Sequence, residues 1–481
     1  MNIGAQGFVM NGQRVTGAGQ TIAVVNPATG KEMGSVPDCT GAEIDAAVRA
    51  AHQTFESDAW RRMPPADRGR LLSAFAKVIR DNEKLLAELE TADVGKPLNQ
   101  ALNDVRTTAR YFEYYGGLAD KVQGATIPVR WGALDFTLRE PFGVSAQIIP
   151  WNFPLAMAAR GIAPALAAGN CVVAKPAEDA SLSVLKLAEL AIEAGFPDNA
   201  FNVVTGYGAT AGASLVGHPL VRHVTFTGSV RTGTAVMKTA ADGIKPVSLE
   251  LGGKSPNIVL DDADLALSAE VIARSILINA GQTCNSCPRL LVHESVQQAL
   301  TQSLKERFRS LKIGDPMENP DLGPLVSARH RQNVERYVEL AHEQGGVVSR
   351  YGVTPAATHL AGGYFVLPTI VEGVVKEHAI FSEEVFGPVL AITSFRDVDE
   401  AVALANASDY GLNAGIFSKS MANVMPLMQR LNAGMIYVNG YGAGGGVEVP
   451  FGGFKKSGIG REKGVDAILN YTQVKSVTVH Y

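Results

Sequence analysis

Cysteine is scarce in this chain: four residues among 481 are far too few for a disulfide framework, so a reducing compartment, by default the cytoplasm, is expected. An excess of one charge is lacking too. The formal net charge is -4 and the two signs are interspersed, which leaves no stripe for nucleic acid or an anionic membrane. The longest apolar stretch, residues 144–174, is interrupted by Pro150, Pro154, Arg160 and Pro164, and therefore reads as buried interior rather than a membrane span. Residues 1–7 show no basic segment leading into an apolar one, so no secretory leader is expected. The nine histidines offer no ligand pair at zinc-site spacing, and no metal is expected. Internal repeats and low-complexity linkers are also missing.

What is present suits a large α/β protein. The length exceeds what one hydrophobic core usually supports, so two or three structural units are expected. The hydrophobic fraction of 46% with 50 glycines and 24 prolines fits a globular chain with many tight turns. Apolar residues recur at helical spacing over 42–55, 66–90 and 98–115, which makes the first quarter largely helical. Further on, β-rich runs at 171–174, 201–204 and 223–226 alternate with helical patterns at 182–194 and 210–215. That rhythm predicts βαβ units with a parallel sheet. A second alternation follows Lys254, with strands at 257–260 and 290–293 and helices over 265–279 and 295–311. A hairpin over 122–139 and a strand over 474–479 stand apart from this rhythm, and exposed strands of that kind are candidates for pairing with another copy.

The chemistry centres on Cys284 in Gly281-Gln282-Thr283-Cys284. Small, polar and turn-forming neighbours favour access, whereas Cys171, in an apolar strand pattern, reads as structural. A thiolate attacks a carbonyl carbon well once a base or local dipoles favour its ionised form. Cys287 stands at C-x-x-C spacing, but without a second ligand pair it reads as a bystander thiol able to form a reversible disulfide with Cys284. Glu250 closes the alternation Val247-Ser248-Leu249-Glu250 before Gly252-Gly253, and a carboxylate at such a strand end is a candidate general base. Asn152, confined within Pro150-Trp151-Asn152-Phe153-Pro154, is a candidate oxyanion donor, a role that can contribute about 2.7–4 kcal/mol to lowering a barrier. Lys175 and Glu178 project beyond a strand carboxyl end, where open α/β sheets bind ligands. An acid there accepts from ribose hydroxyls and repels a 2′-phosphate, favouring NAD over NADP. Gly206, Gly208 and Gly212 form only a loose version of the dinucleotide fingerprint. Gly228 and Ser229 follow a strand and open a helical pattern, where backbone donors meet a pyrophosphate.

Taken in order along nearly the whole chain, these motifs resemble the NAD(P)-dependent aldehyde dehydrogenase superfamily. The resemblance implies an α/β architecture: a Rossmann-like NAD-binding domain (1–121 and 142–252), an α/β catalytic domain (253–447) and a small β oligomerisation element (122–141 and 464–481). It implies Cys284 as nucleophile, Glu250 as base, and Asn152 with the Cys284 amide as oxyanion donors. Lys175 and Glu178 would meet the adenosine ribose, Gly228 and Ser229 the pyrophosphate, Glu384 the nicotinamide ribose and Phe386 the nicotinamide ring. Ile149, Pro150, Trp151, Gly208, Phe226 and Leu251 complete the expected cofactor set. Residues 450–458, Pro-Phe-Gly-Gly-Phe-Lys-Lys-Ser-Gly, resemble the family's late signature.

The implied reaction is oxidation of an aldehyde to its acid through a thiohemiacetal and a thioester on Cys284, by a homodimer or homotetramer. Coenzyme A-acylating members generally lack the glutamate, so Glu250 favours hydrolysis over that alternative. Arg160-Gly161 departs from the Trp-Lys of many members, removing a lysine often assigned to a proton relay. Semialdehyde dehydrogenases carry an arginine there for a distal carboxylate. Arg160, with Phe153, is therefore an expected substrate contact for an anionic or ω-semialdehyde, although their second arginine is Ile278 here. An aromatic or aliphatic aldehyde without anionic preference is the alternative. Residues 278–288 and 440–448 are expected at the substrate entrance, with room or mobility at Gly442 to Gly446.

Overall fold

The computed structural model describes residues 3–442 and 446–481. Two sheets organise it, each with its own apolar core. In the first, Val144–Ile149 lies between Cys171–Pro176 and Val221–Thr227, with Phe201–Val203 and Val247–Glu250 outside them, all parallel. The chain runs outward on one side of Val144–Ile149 and then returns to build the other side. Ligands bind beyond the carboxyl ends of strands at such a reversal, because neighbouring loops diverge there and leave a crevice. Asn152, Gly228 and Ser229 follow the two strands that flank it.

The second sheet sets Pro256–Val259 between Arg289–His293 and Asn413–Phe417, with Val389–Phe395 and Thr369–Glu372 beyond on one side and Met435–Val438 on the other. Its strands are buried on both faces, as a parallel sheet between helices requires. After leaving it, the chain sends Gly458–Ile459 back to pair antiparallel with Val247–Glu250. That return brings the segment around residue 460 to the strand that ends in Glu250.

Two small sheets stand apart from these. Thr472–His480 pairs antiparallel with Ala133–Pro141, which pairs with Thr126–Ile127. This sheet leaves Trp131, Leu134, Leu138, Val474 and Val479 exposed. Gly4–Ala5, Thr21–Asn26 and Lys31–Pro37 form the other, so the opening forty residues are strands where helical content was expected for the first quarter. Helices follow from Gly41–Glu56 onward, that first one closed by a Thr40/Glu43 capping box that satisfies otherwise orphaned N–H groups.

Three helical expectations need correction. The pattern over 66–90 is two helices, Pro65–Asp81 and Glu83–Val94, because Asn82 leaves helical geometry at φ -104°, ψ 19°. Residues 208–212 wind as a single wide π turn before the short α-helix Ala213–Gly217. The helix expected to reach residue 279 stops at Leu277, since Asn279, Ala280 and Gly281 all take positive φ. No described helix is long and apolar enough to cross a membrane. No group of three or more His, Cys, Asp or Glu is placed to hold a metal among the described residues.

Candidate active site

Those three left-handed residues lead into Cys284. Asn279, Ala280 and Gly281 have φ of 48°, 51° and 75°, a run that costs strain for residues bearing a Cβ and must be held from outside. The supports are visible. Asn279 N–H donates to Gln100 Oε1 (3.0 Å), Asn279 Nδ2 donates to the Asn152 carbonyl (2.9 Å), and Gln282 Nε2 donates back to the Asn279 carbonyl (2.9 Å). Gly281 is required for space as well: a Cβ there would sit 2.2 Å from the Gly387 carbonyl oxygen. The bend delivers Cys284 into a cavity of about 470 Å³ whose lining includes Asn152, Arg160, Glu250, Glu384 and Phe386.

Asn152 Nδ2 donates one hydrogen to the Gln282 carbonyl at 3.0 Å. An amide carries two donors, so one is fixed to the nucleophile's loop and the other is available to the cavity. Cys284 opens on this cavity but lies deep in the protein, and burial pushes its thiol up to about 12; Arg160 pulls the other way, while Glu250 and Glu384 add to the rise. The resting group is therefore a thiol that needs an acceptor for its proton.

Glu250 is buried, and neither carboxylate oxygen has a hydrogen-bond partner among the described residues. Burial first, and the neighbouring Glu462 second, hold its carboxyl well above the usual range, against Arg160. Desolvation makes such a carboxylate a stronger base than one in water. Gly452 leaves it room, since a Cβ there would approach Glu250 Oε1 to 2.8 Å.

Arg160 lines the cavity, as expected of a substrate contact, but its charge is already matched. It forms a buried ion pair with Glu462, donates to Thr227 Oγ1 at 3.4 Å and lies 4.7 Å from the Phe451 ring centroid. Burial opposes its charge, yet Glu462 and then Glu250 hold the guanidinium above its ordinary range. A substrate carboxylate would have to compete with Glu462 for Arg160. Phe153, also on the wall, carries the Lys96 ammonium 4.0 Å from its ring centroid; Lys96 is itself bound by Glu90 and Asp104.

The expected cofactor residues divide into two groups. Pro150, Trp151, Gly228, Ser229, Leu251, Glu384 and Phe386 share the cavity with Cys284. Trp151 and Phe386 meet edge to face at 5.4 Å, and Glu384 Oε1 accepts from Gly253 N–H at 2.9 Å. Burial pushes the Glu384 carboxyl up to about 7, against that hydrogen bond and Lys254. Ser229 caps the helix Val230–Asp242 by accepting from Thr232 N–H. Ile149, Lys175, Glu178, Gly208 and Phe226 lie outside this cavity lining. Ile149 and Phe226 are buried in the sheet. Phe226's ring sits where a Cβ on Gly228 would fall, at 2.6 Å, so only glycine keeps that turn close. Lys175 Nζ donates to the carbonyls of Pro176 (2.8 Å) and Gly206 (2.7 Å), and Glu178 approaches it to 3.9 Å. Cys287 does not line the cavity; it is buried, accepts from Asn413 Nδ2 at 3.2 Å, and burial raises it to about 12.

Sequence reasoning missed Glu462, Lys463, Phe451 and the face of Leu98–Leu118 that presents Asn103, Thr107 and Tyr111 to the cavity. Glu462 carried a weak signal in Gly460-Arg461-Glu462-Lys463-Gly464, which follows the late motif. Its pairing with Phe451 through two 2.7 Å backbone bonds could not be read from spacing. Of the expected entrance loops, Thr283, Cys284 and Asn285 reach the cavity; within the glycine run 442–446, residues 443–445 lie outside the described residues.

The fold and the site together place a deep-lying thiol in a cavity beyond the carboxyl ends of an open α/β sheet, where such sheets bind ligands. The sequence matches the model of the Aldehyde dehydrogenase family over residues 15–477, and the chain belongs to that family. It is 44% identical to a phenylacetaldehyde dehydrogenase of Pseudomonas fluorescens over 96% of this chain and 93% of that protein. A crystal structure of an NAD-dependent aldehyde dehydrogenase from Sinorhizobium meliloti superposes with a TM-score of 0.95 at 39% identity, covering 100% of this chain and 95% of the other. An indole-3-acetaldehyde dehydrogenase from P. syringae, solved with NAD+ and IAA, gives a TM-score of 0.96 at 37% identity, covering 100% and 97%.

Proposed function

We propose that this protein oxidises an aldehyde to its carboxylic acid with NAD, through a thioester on Cys284 that is hydrolysed with Glu250 as base. The observation that carries this reading is the convergence of Cys284, Asn152 and Glu250, from three separate chain segments, on one cavity beside Glu384 and Phe386. The donor set fits a dinucleotide: a capped helix N-terminus at Ser229 for phosphate, Glu384 for ribose hydroxyls and the Trp151–Phe386 pair for an aromatic ring. NAD held there supplies the hydride acceptor that the oxidation needs.

The chain's own part runs as follows. Cys284 gives its proton to Glu250, which releases it to solvent before the second half-reaction, and the thiolate adds to the carbonyl carbon while Asn152 donates its second amide hydrogen to the oxyanion that forms. Once the adduct is oxidised, the acyl group remains on Cys284 as a thioester. Glu250 then takes a proton from water as the water attacks, and the acid leaves with the thiol restored. Glu178 near Lys175 supports preference for an unphosphorylated ribose. The exposed apolar residues of the Ala133–Pro141 and Thr472–His480 sheet support its use as the contact between copies in a dimer or tetramer.

Measuring NADH formation with an aldehyde panel, with and without coenzyme A, tests hydrolysis. Steady turnover without coenzyme A is expected; an absolute requirement for it would transfer the reaction to the acylating class.

A further inference from the structure

Arg160 is not the cation with an open valence in this cavity. Lys463 also lines it, along with Cys284, Glu250 and Arg160, and no hydrogen bond or ion pair to Lys463 exists among the described residues. Its nearest charged neighbours are engaged elsewhere. Glu462 pairs with Arg160, and Glu448 pairs with Arg110 on the outer face. The Phe451 ring centroid lies 5.4 Å from Lys463 Nζ. Arg160 is balanced by Glu462, which leaves the Lys463 ammonium as a cation of the cavity wall with no carboxylate paired to it among the described residues.

Two further features support a purpose for it. Lys463 sits at φ 63°, a left-handed backbone that is strained for a side chain with a Cβ and suits glycine or asparagine better. The adjoining Gly464, at φ 67°, anchors the bend through its N–H to the Val447 carbonyl at 2.7 Å. Lys463 is half-buried on this bend and lines the cavity. Burial, reinforced by Arg160, brings its ammonium down to about 8, so it stays charged at neutral pH. A partly desolvated cation without a partner is costly, and an incoming carboxylate would relieve that cost. The same cavity is lined by the rings of Tyr111 and Phe451 and by Met157, apolar surface that suits a hydrocarbon spacer.

The geometry points to Lys463 as a specificity-determining residue that recognises a carboxylate at the far end of the aldehyde from its carbonyl. This rests on the proposed oxidation at Cys284 and names the class of substrate that site takes: an ω-oxo carboxylic acid with an apolar chain.

The test compares kcat/KM for ω-oxo carboxylic acids of increasing chain length with that for their methyl esters, using wild type, Lys463→Met and Lys463→Arg. At one or more lengths the wild type is expected to prefer the acid by about tenfold, the scale of a charge-assisted hydrogen bond. Lys463→Met should erase that preference, and Lys463→Arg should retain most of it. The ester is the internal control for a general loss of fold or chemistry. Equal efficiencies for acid and ester at every length in the wild type, or an equal loss for both in Lys463→Met, would overturn the assignment of Lys463 while leaving the oxidation intact. Oxidation of neither acid nor ester would remove the parent reading and this one together.

Discussion

Replacing Glu250 by glutamine separates the two halves of the proposed reaction. The change keeps the side-chain shape in a site where both oxygens are buried and unpartnered and where Gly452 comes close, so it removes basicity with little repacking. General-base catalysis contributes about 100- to 10,000-fold, which corresponds to about 3–5 kcal/mol of barrier. The upper half of that range is expected, because burial has already raised the basicity of the carboxylate and amide nitrogen cannot replace it. In a stopped-flow assay the variant should release one equivalent of NADH per active site in a burst and then turn over slowly. Mass spectrometry of the quenched enzyme should find the acyl group on Cys284. The pH dependence has a defined sign. The raised pKa means that the base form accumulates as pH climbs through it, so wild-type deacylation should increase over that interval and the variant's should stay flat. Unimpaired steady-state turnover, or slow turnover with no acyl group on Cys284, would refute the role of Glu250.

Asn152→Ala should lower kcat/KM by about 100- to 1,000-fold, the usual cost of losing one oxyanion donor. Alkylation of Cys284 by iodoacetamide, read in parallel, should change far less; an equal fall in both would assign Asn152 to holding the Gln282 loop. Arg160→Met and Glu462→Met each strand a buried charge and should each destabilise by about 3–5 kcal/mol. The double variant should melt closer to wild type than either single one, and strictly additive losses in apparent melting temperature would deny the pair.

Much of the candidate site could be read from local sequence because its members are reactive or polar side chains on short turn-bounded motifs. Cys284, Glu250 and Asn152 announce themselves through neighbours that restrict the backbone, and the βαβ rhythm orders the strands that carry them. The helix ends were less legible. Asn82 and residues 279–281 break helical patterns through their own φ values, which apolar spacing does not encode. Cys287 illustrates the limit of spacing in the opposite sense. Two thiols at C-x-x-C separation invite one account, yet one opens on the cavity and the other is tied to Asn413.

By itself, the sequence determined the chemistry available: one thiol set for access, one carboxylate at a strand end, one confined amide, and a run of cofactor motifs in order. Tertiary structure alone decided which charges are free to act. Arg160 reads as an open cation until the strand Gly458–Ile459 returns to the first sheet and brings Glu462 against it. The same return leaves Lys463 on the cavity wall without an ion-pair partner among the described residues. The physical reason is that an ionic group's role depends on its counter-charge and on its exposure to water, and both are set by contacts between residues about 300 positions apart in a chain of 481.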